Sequence, residues 1–314
     1  MATLELTVPE SLNGARLDKA LGELAPGLSR AKTKRAIESR AVRVNGRVRA
    51  KGALVATGEV ITVDESAVDD AEAPATPEAD AVLDVRYTSP HVLVVDKAAG
   101  RPTAPLRAGE TGTLANALVG KYPELAGVGY SPREPGLVHR LDTDTSGLVV
   151  VARTAEAFEL LKDALKDDRL EKAYLLVCAS DELPDAGTIE FPIAKHPKDQ
   201  RRVYPCVHPR DVARYEPRPA STRYEVVERK GRWALVRAHV ARALRHQIRA
   251  HFAAIDHPLA GDVLYGGPEI RALGRHALHA SSVRFGGAGP IEAFEVTSAL
   301  PAEMANLLKS ADSD

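Results

Sequence analysis

The sequence predicts an α+β protein: a large domain with a mixed, largely antiparallel sheet, preceded by a small unit of its own. Three observations lead there. From residue 82 onward, short apolar runs of strand length dominate, and helical patterns interrupt them without the regular alternation of a parallel sheet. The first 64 residues hold a complete set of two helical patterns and several strands. Between the two lies a stretch of Ala, Pro, Asp and Glu without periodicity, which reads as an acidic, flexible, charge-extended linker. The expected division is 1–64, linker 65–81, large domain 82–300, and a closing helix and tail, 301–314.

In the first unit, Leu4 to Val8 reads as a strand. Leu17, Ala20, Leu21 and Leu24 then fall at helix spacing. Ser29 suits the N-cap of a second helix, Arg30 to Arg40, with Ala36 and Ile37 as its apolar contacts. Ala41 to Val44 reads as a strand, Asn45-Gly46 as a hairpin turn, Arg47 to Arg49 as the return, and Glu59 to Val63 as the closing strand. In the large domain, Val82 to Tyr87 and His91 to Lys97 are strands and Thr113 to Val119 is a short helix. A loop broken by Pro132, Pro135 and Gly136 leads into the polar stretch His139 to Gly147 and the apolar strand Leu148 to Ala152. Thr154 can cap a helix whose Ala157, Phe158, Leu161, Ala164 and Leu165 form one apolar face. Strands follow at Lys172 to Val177, Thr188 to Pro192, Ser221 to Glu228 and Arg232 to Val240. Ala243 to Ala254 reads as a helix. A last strand pair, Ser282 to Phe285 and Ile291 to Val296, precedes a helix from Pro301.

Composition excludes several classes. With 44% hydrophobic and 27% charged residues, the chain of 314 is that of a globular protein long enough for two domains. No apolar run approaches the roughly 18 residues of a membrane span, and the N-terminus has neither the basic start nor the apolar core of a secretion signal. Two cysteines, Cys178 and Cys206, make neither a disulfide framework nor a four-ligand zinc site, which fits a reducing cytoplasm. No His-Glu-x-x-His pair, Walker loop, Gly-x-Gly-x-x-Gly element or Gly-x-Ser-x-Gly elbow occurs, so no metal, no nucleotide cofactor and no serine hydrolase is expected.

The net charge of −1 conceals an uneven distribution. Residues 30–51 carry a local net of +8, residues 65–84 of −7, and residues 192–249 of +10. Two basic regions around an acidic spacer point to a polyanionic partner, because neutralising phosphates drives such binding.

Four segments could carry chemistry: His139-Arg-Leu-Asp-Thr-Asp-Thr-Ser-Gly147, Lys172-Ala-Tyr174, His246-Gln-Ile-Arg249 and Gly261-Asp-Val-Leu-Tyr-Gly266. Together with His257 to Asp262, they strongly resemble the RluA-type family of RNA pseudouridine synthases over residues 82–300. The first unit resembles the α-L RNA-binding domain through Arg16-Leu-Asp, Ser29-Arg30, Val44-Asn-Gly46 and Gly58-Glu-Val60. The resemblance implies a cofactor-free isomerase that turns uridine into pseudouridine. It implies a catalytic domain of the pseudouridine synthase type, with Asp142 as the essential aspartate, Tyr174 as the active-site tyrosine and Arg249 as the basic partner of Asp142. Arg140 would hold the flipped-out arrangement, and His139, His246 and Gln247 would contact substrate. Arg30, Lys34, Arg35 and Arg43 would contact RNA from the first unit. The expected partner is 23S ribosomal RNA, with transfer RNA as the second choice, acting as a monomer without a membrane. A non-catalytic RNA-binding assembly factor is the alternative class, which an intact Asp142, Tyr174 and Arg249 disfavour.

These roles suit the reaction. The bond from ribose carbon 1′ to base nitrogen 1 breaks, the uracil turns, and carbon 5 takes the place of nitrogen 1. A carboxylate can attack carbon 1′, attack carbon 6, or promote deprotonation that eliminates the base. A planar guanidinium beside it favours its charged form. Two departures from the family pattern stand out: Lys97-Ala-Ala-Gly100 where Lys-Pro-x-Gly is usual, and Arg242-Ala-Leu-Arg245 where Thr-Gly-Arg-Thr is usual.

Overall fold

A computed structural model of the chain describes residues 3–26, 28, 30–64 and 73–310. It divides into two compact units: residues 1–76 with 105–110 and 131–133, and residues 77–104, 111–130 and 134–314.

The first unit has β1 (Thr3–Thr7), α1 (Leu17–Leu24), α2 (Arg30–Glu38), β2 (Val42–Val44) and β3 (Val60–Asp64). Its antiparallel sheet runs β1-β3-β2. Leu17, Ala20 and Leu21 of α1 pack with Ala36 and Ile37 of α2 over Val42, Val44, Ile61 and Val63. Asn45 and Gly46 both take positive φ, 48° and 76°, as the expected tight turn requires. The expected return strand over 47–49 shrinks to one bridge, Val44 to Arg47, because β3 is the partner of β2. Arg49 instead pairs with Glu59 at 2.6 Å. The expected cap Ser29 lies outside the described residues.

The second unit is built on a nine-stranded sheet ordered β4-β5-β6-β13-β7-β12-β11-β8, with β14 on β13. The strands are β4 (Asp84–Thr88), β5 (Val92–Lys97), β6 (Ser146–Ala152), β7 (Leu170–Ala179), β8 (Ala186–Ile189), β11 (Thr222–Lys230), β12 (Trp233–His239), β13 (Leu278–Phe285) and β14 (Phe294–Thr297). Among the described residues, every pairing in it is antiparallel except β6 with β13. Every residue of β6 is buried, so both faces of the sheet are covered at its centre. On one side α4 (Ala155–Lys166) lays Phe158, Leu161 and Leu165 on Val92, Val150 and Val283. Thr154 caps it by accepting the Ala157 amide at 3.1 Å. On the other, Met304 and Leu308 of α7 (Ala302–Ser310) pack against Val177, Trp233 and Leu235. Such side chains contribute about 1.5–3 kcal/mol each when fully buried. Two further helices are α3 (Leu114–Lys121), closed by a Thr113–Asn116 capping box, and α6 (Gln247–Ala254).

Three elements differ from expectation. The helix expected from Ala243 begins at Gln247, because His246 takes φ +53° and the Gln247 side chain accepts the Leu244 amide at 2.9 Å. A two-stranded hairpin, β9 (Ile193–Lys195) with β10 (Val203–Pro205), and the short helix α5 (Pro209–Tyr215) occupy a stretch that carried no prediction. The linker is not extended throughout. Residues 65–72 lie outside the described residues, but the Glu78 amide donates to the Asn116 carbonyl at 3.0 Å and its carboxylate accepts the Gly112 amide at 2.9 Å. Gly120 permits this, since a Cβ there would stand 2.4 Å from the Glu78 backbone.

Candidate active site

The loop before β6 is fastened from several directions before any catalytic group is considered. The Thr103 hydroxyl donates to the Leu141 carbonyl at 2.7 Å and accepts the Leu141 amide at 3.2 Å. Lys97, 1% exposed, donates to the carbonyls of Ala98, Arg101 and Thr143 at 3.0, 2.8 and 2.9 Å. Burial pulls its pKa down to about 7, against the Asp142 and Asp144 carboxylates, while three carbonyl acceptors favour the ammonium. Arg275 donates to the Asp144 carbonyl and the Ser146 hydroxyl, each at 3.2 Å, and to Glu303 of α7 at 2.8 Å. His276 meets the Thr145 hydroxyl at 2.7 Å. Gly147 completes the fastening: its φ is +113°, and a Cβ there would lie 2.3 Å from the Ala280 carbonyl, so only glycine lets β6 approach β13 so closely.

The loop presents Asp142, whose side chain is 23% exposed, to Arg249 of α6 at 3.0 Å. Arg249 is held in turn by Asp262 through two bonds, Nε to Oδ2 at 2.7 Å and a terminal nitrogen to Oδ1 at 2.8 Å. The geometry is a bidentate fork on one carboxylate and a single bond to the other. Burial alone would lower the Arg249 pKa, but the bonds and charge of Asp262, joined by Asp142, raise it. Asp262 is positioned by Gly261, at φ +77°, where a Cβ would collide with the Arg275 carbonyl at 1.9 Å. The ring of Tyr265 lies 5.2 Å from the Arg249 guanidinium.

Asp142, Tyr174 and Arg249 line one cleft with Arg140, His246, Gln247 and Leu278. Tyr174 is 4% exposed on β7, and burial with the Asp142 charge raises its pKa, so the phenol keeps its proton. His246 places Nε2 3.7 Å from Asp142, beyond hydrogen-bond length, and Nδ1 3.0 Å from the Tyr265 hydroxyl. Burial lowers its pKa, against the pull of Asp142. Gln247 lines the cleft, but its amide group is engaged by Leu244, Ser221 and Thr222, so it shapes the wall rather than reaching for substrate. Arg140 stands at the rim, 63% exposed, paired with Glu134 at 3.0 Å.

His139 departs from expectation. It is not among the cleft residues, and its Nε2 accepts the Val150 amide at 3.1 Å, fixing the loop to β6. Burial, with the Lys172 charge, pushes its pKa down to about 3. In the first unit, Lys34 and Arg43 are exposed, whereas the side chains of Arg30 and Arg35 lie outside the described residues. Sequence reasoning missed Lys97, Thr103, Asp262 and Arg275 as site residues. Lys97 and Asp262 stood in segments that the sequence singles out, though neither was given a role; for Asp262 a buried guanidinium with five donors needs more than the single acceptor that Asp142 supplies.

Residues 91–254 match the family of RNA pseudouridylate synthases, and residues 15–61 match the S4 domain. The chain belongs to the pseudouridylate synthase family and is an isomerase that converts uridine in RNA to pseudouridine. Among its curated relatives is the ribosomal large subunit pseudouridine synthase D of Yersinia pestis, 35% identical over 99% of this chain and 95% of that protein. The protein of the same name from Escherichia coli K12 is 34% identical over 98% of this chain and 93% of its own length. The human RNA pseudouridylate synthase domain containing 1 shares the fold, with a TM-score of 0.55 and 24% identity over 76% of this chain and 98% of that structure. Among the described residues, no helix is long and apolar enough to cross a membrane.

Proposed function

We propose that this enzyme isomerises uridines of large-subunit (23S) ribosomal RNA, in the cytoplasm and as a monomer, with Asp142 as the group that acts on the target nucleotide. The observation that carries the site assignment is a part-exposed carboxylate in a cleft, charge-paired to an arginine that a second, buried carboxylate already holds. The ribosomal choice rests on relatives named for the large subunit that match nearly the whole chain.

The target uridine leaves its stack, at a cost of a few kcal/mol that is smaller in unpaired regions. Arg140, exposed at the rim, exchanges Glu134 for the gap or phosphates that the extruded base leaves behind. The uracil enters against Tyr174, which gives it a flat face and a phenol that can donate but resists becoming a base. Asp142 then attacks carbon 1′ or carbon 6, or takes a proton to start elimination; all three routes begin at the same carboxylate. When carbon 1′ rejoins at carbon 5, nitrogen 1 gains a hydrogen and carbon 5 loses one. The reaction is redox-neutral and, drawn this way, needs no cofactor.

Tritium at uridine carbon 5 therefore reports the chemistry. Wild-type protein releases it from 23S transcripts and not from transfer RNA, and Asp142→Asn stops release while RNA affinity stays within a few-fold. Full activity in Asp142→Asn would sink the assignment of Asp142. Release confined to transfer RNA would move the substrate and leave the chemistry standing.

A further inference from the structure

Tyr265, in the segment Gly261 to Gly266, has no part in the reaction as drawn, yet its contacts define the state of His246. The Val203 amide donates to the Tyr265 hydroxyl at 2.8 Å. The same hydroxyl lies 3.0 Å from His246 Nδ1. Tyr265 is buried, and among the described residues its hydroxyl has no other partner, so its one proton goes to Nδ1. Nδ1 is then the bare nitrogen of the ring, and Nε2 carries the hydrogen. Burial lowers the His246 pKa; Asp142 opposes the shift, while Arg249 and Arg245 reinforce it. A neutral ring agrees with the tautomer.

Nε2 is also the nitrogen that approaches Asp142. It stands 3.7 Å from Oδ2, the oxygen that accepts Arg249 at 3.0 Å. Two donors thus converge on one oxygen, and among the described residues Oδ1 accepts no hydrogen bond. One short segment sets both donors. Asp262 forks onto Arg249, while Tyr265 orients His246 and lays its ring 5.2 Å from the Arg249 guanidinium. The His246 and Tyr265 rings meet edge-on at 5.7 Å, which leaves the imidazole little freedom to turn. His246 takes φ +53° to reach this position, a left-handed conformation that persists only where the surroundings enforce it.

We infer that His246 is a positioning residue for Asp142. Its Nε2–H closes onto Oδ2 beside Arg249 when the nucleotide enters, and Oδ1 is left as the oxygen that reacts. Hydrogen bonds of this kind are often long in a free enzyme and tighten in the complex. A neutral donor fixes the carboxylate without adding a second full cation beside it. The inference rests on the reading of Asp142 as the group that acts on the nucleotide.

The tautomer is measured first, without turnover. In full-length protein with 15N-labelled histidine rings, the His246 signals are those lost in His246→Gln. They should show a protonated Nε2 and a bare Nδ1, a preference that Tyr265→Phe weakens. A bare Nε2 in the wild type would overturn the inference. Tritium release from a 23S fragment then reads the effect. His246→Leu should lower kcat about 10- to 100-fold, the worth of a hydrogen bond to a charged group, with KM little changed. His246→Gln, whose amide nitrogen offers an N–H near the Nε2 position, should recover to within about threefold of wild type. A loss as deep in the glutamine variant as in the leucine variant, at equal Tm, would make the role structural. A loss confined to KM would make His246 a contact of the nucleotide. Either result overturns the positioning role. Full activity in Asp142→Asn would instead remove the reading beneath it, whatever the ring signals show.

Discussion

Asp142 stays available because Arg249, its strong partner, is anchored elsewhere. Asp262 takes two of the three guanidinium nitrogens and leaves one for Asp142. Asp262→Asn should therefore harm more than packing. It leaves a buried guanidinium undercompensated, at a cost of about 3–5 kcal/mol, and frees Arg249 to close on Asp142. Thermal unfolding should report the loss of stability and single-turnover kinetics the loss of rate; a variant with unchanged Tm and rate would refute the anchoring. A second prediction concerns acid. His139 and His276 hold pKa values near 3 and near 2 through burial and nearby positive charge, against about 6.5 in the unfolded chain. The unfolded state binds more protons below pH 6.5, so stability falls as pH drops from there, by up to about 1.4 kcal/mol per pH unit for each histidine. Urea midpoints should decline between pH 6.5 and 5, before most carboxylates titrate. That Asp142, Tyr174 and Arg249 meet in one cleft was legible because their order and type are distinctive. His139 reads from sequence both as a substrate contact and as part of the turn that presents Asp142, and only its neighbours show that its ring nitrogen holds the Val150 amide.

Among the elements, β6 depends on one residue. Gly147→Ala would push a Cβ into the Ala280 backbone, separating β6 from its parallel neighbour and moving the loop that carries Asp142. The expected outcome is loss of tritium release together with a Tm lowered by many degrees; an alanine variant of normal Tm and activity would mean that the strands part without consequence. Long apolar strands and the α4 stripe were legible because burial imposes a period on them. The β9 and β10 strands span three residues each, too few for any period to show. The start of α6 was misplaced for another reason. Ala243 and Leu244 favour helix, but Arg245 is drawn to hairpin carbonyls and His246 turns left-handed, a tertiary demand that local propensity does not contain.

Over the whole molecule, charge is partitioned rather than balanced. The basic stretch 30–51 falls in the first unit and carries a net of +8, while the chain as a whole carries −1. Neutralising two exposed cations there, Lys34→Ala/Arg43→Ala, should lower the salt slope of RNA binding by about 1.5–2 without altering base preference. Filter binding across a salt series would measure it, and an unchanged slope would remove both residues from the RNA contacts. That residues 105–110 and 131–133 would join the first unit was not legible from composition, nor was the packing of Glu78, since nothing in an acidic, aperiodic stretch announces which amides it will meet.

Chain order also sets when the site exists. Asp142 finds Arg249 107 residues further along, Thr145 finds His276 after 131, and Arg275 then needs Glu303, another 28 residues on. During synthesis the aspartate loop emerges long before the groups that charge-pair and brace it. A growing chain that displays the whole His139–Gly147 motif still has no assembled site. The full set of braces on the Asp142 loop is complete only once residue 303 has been added.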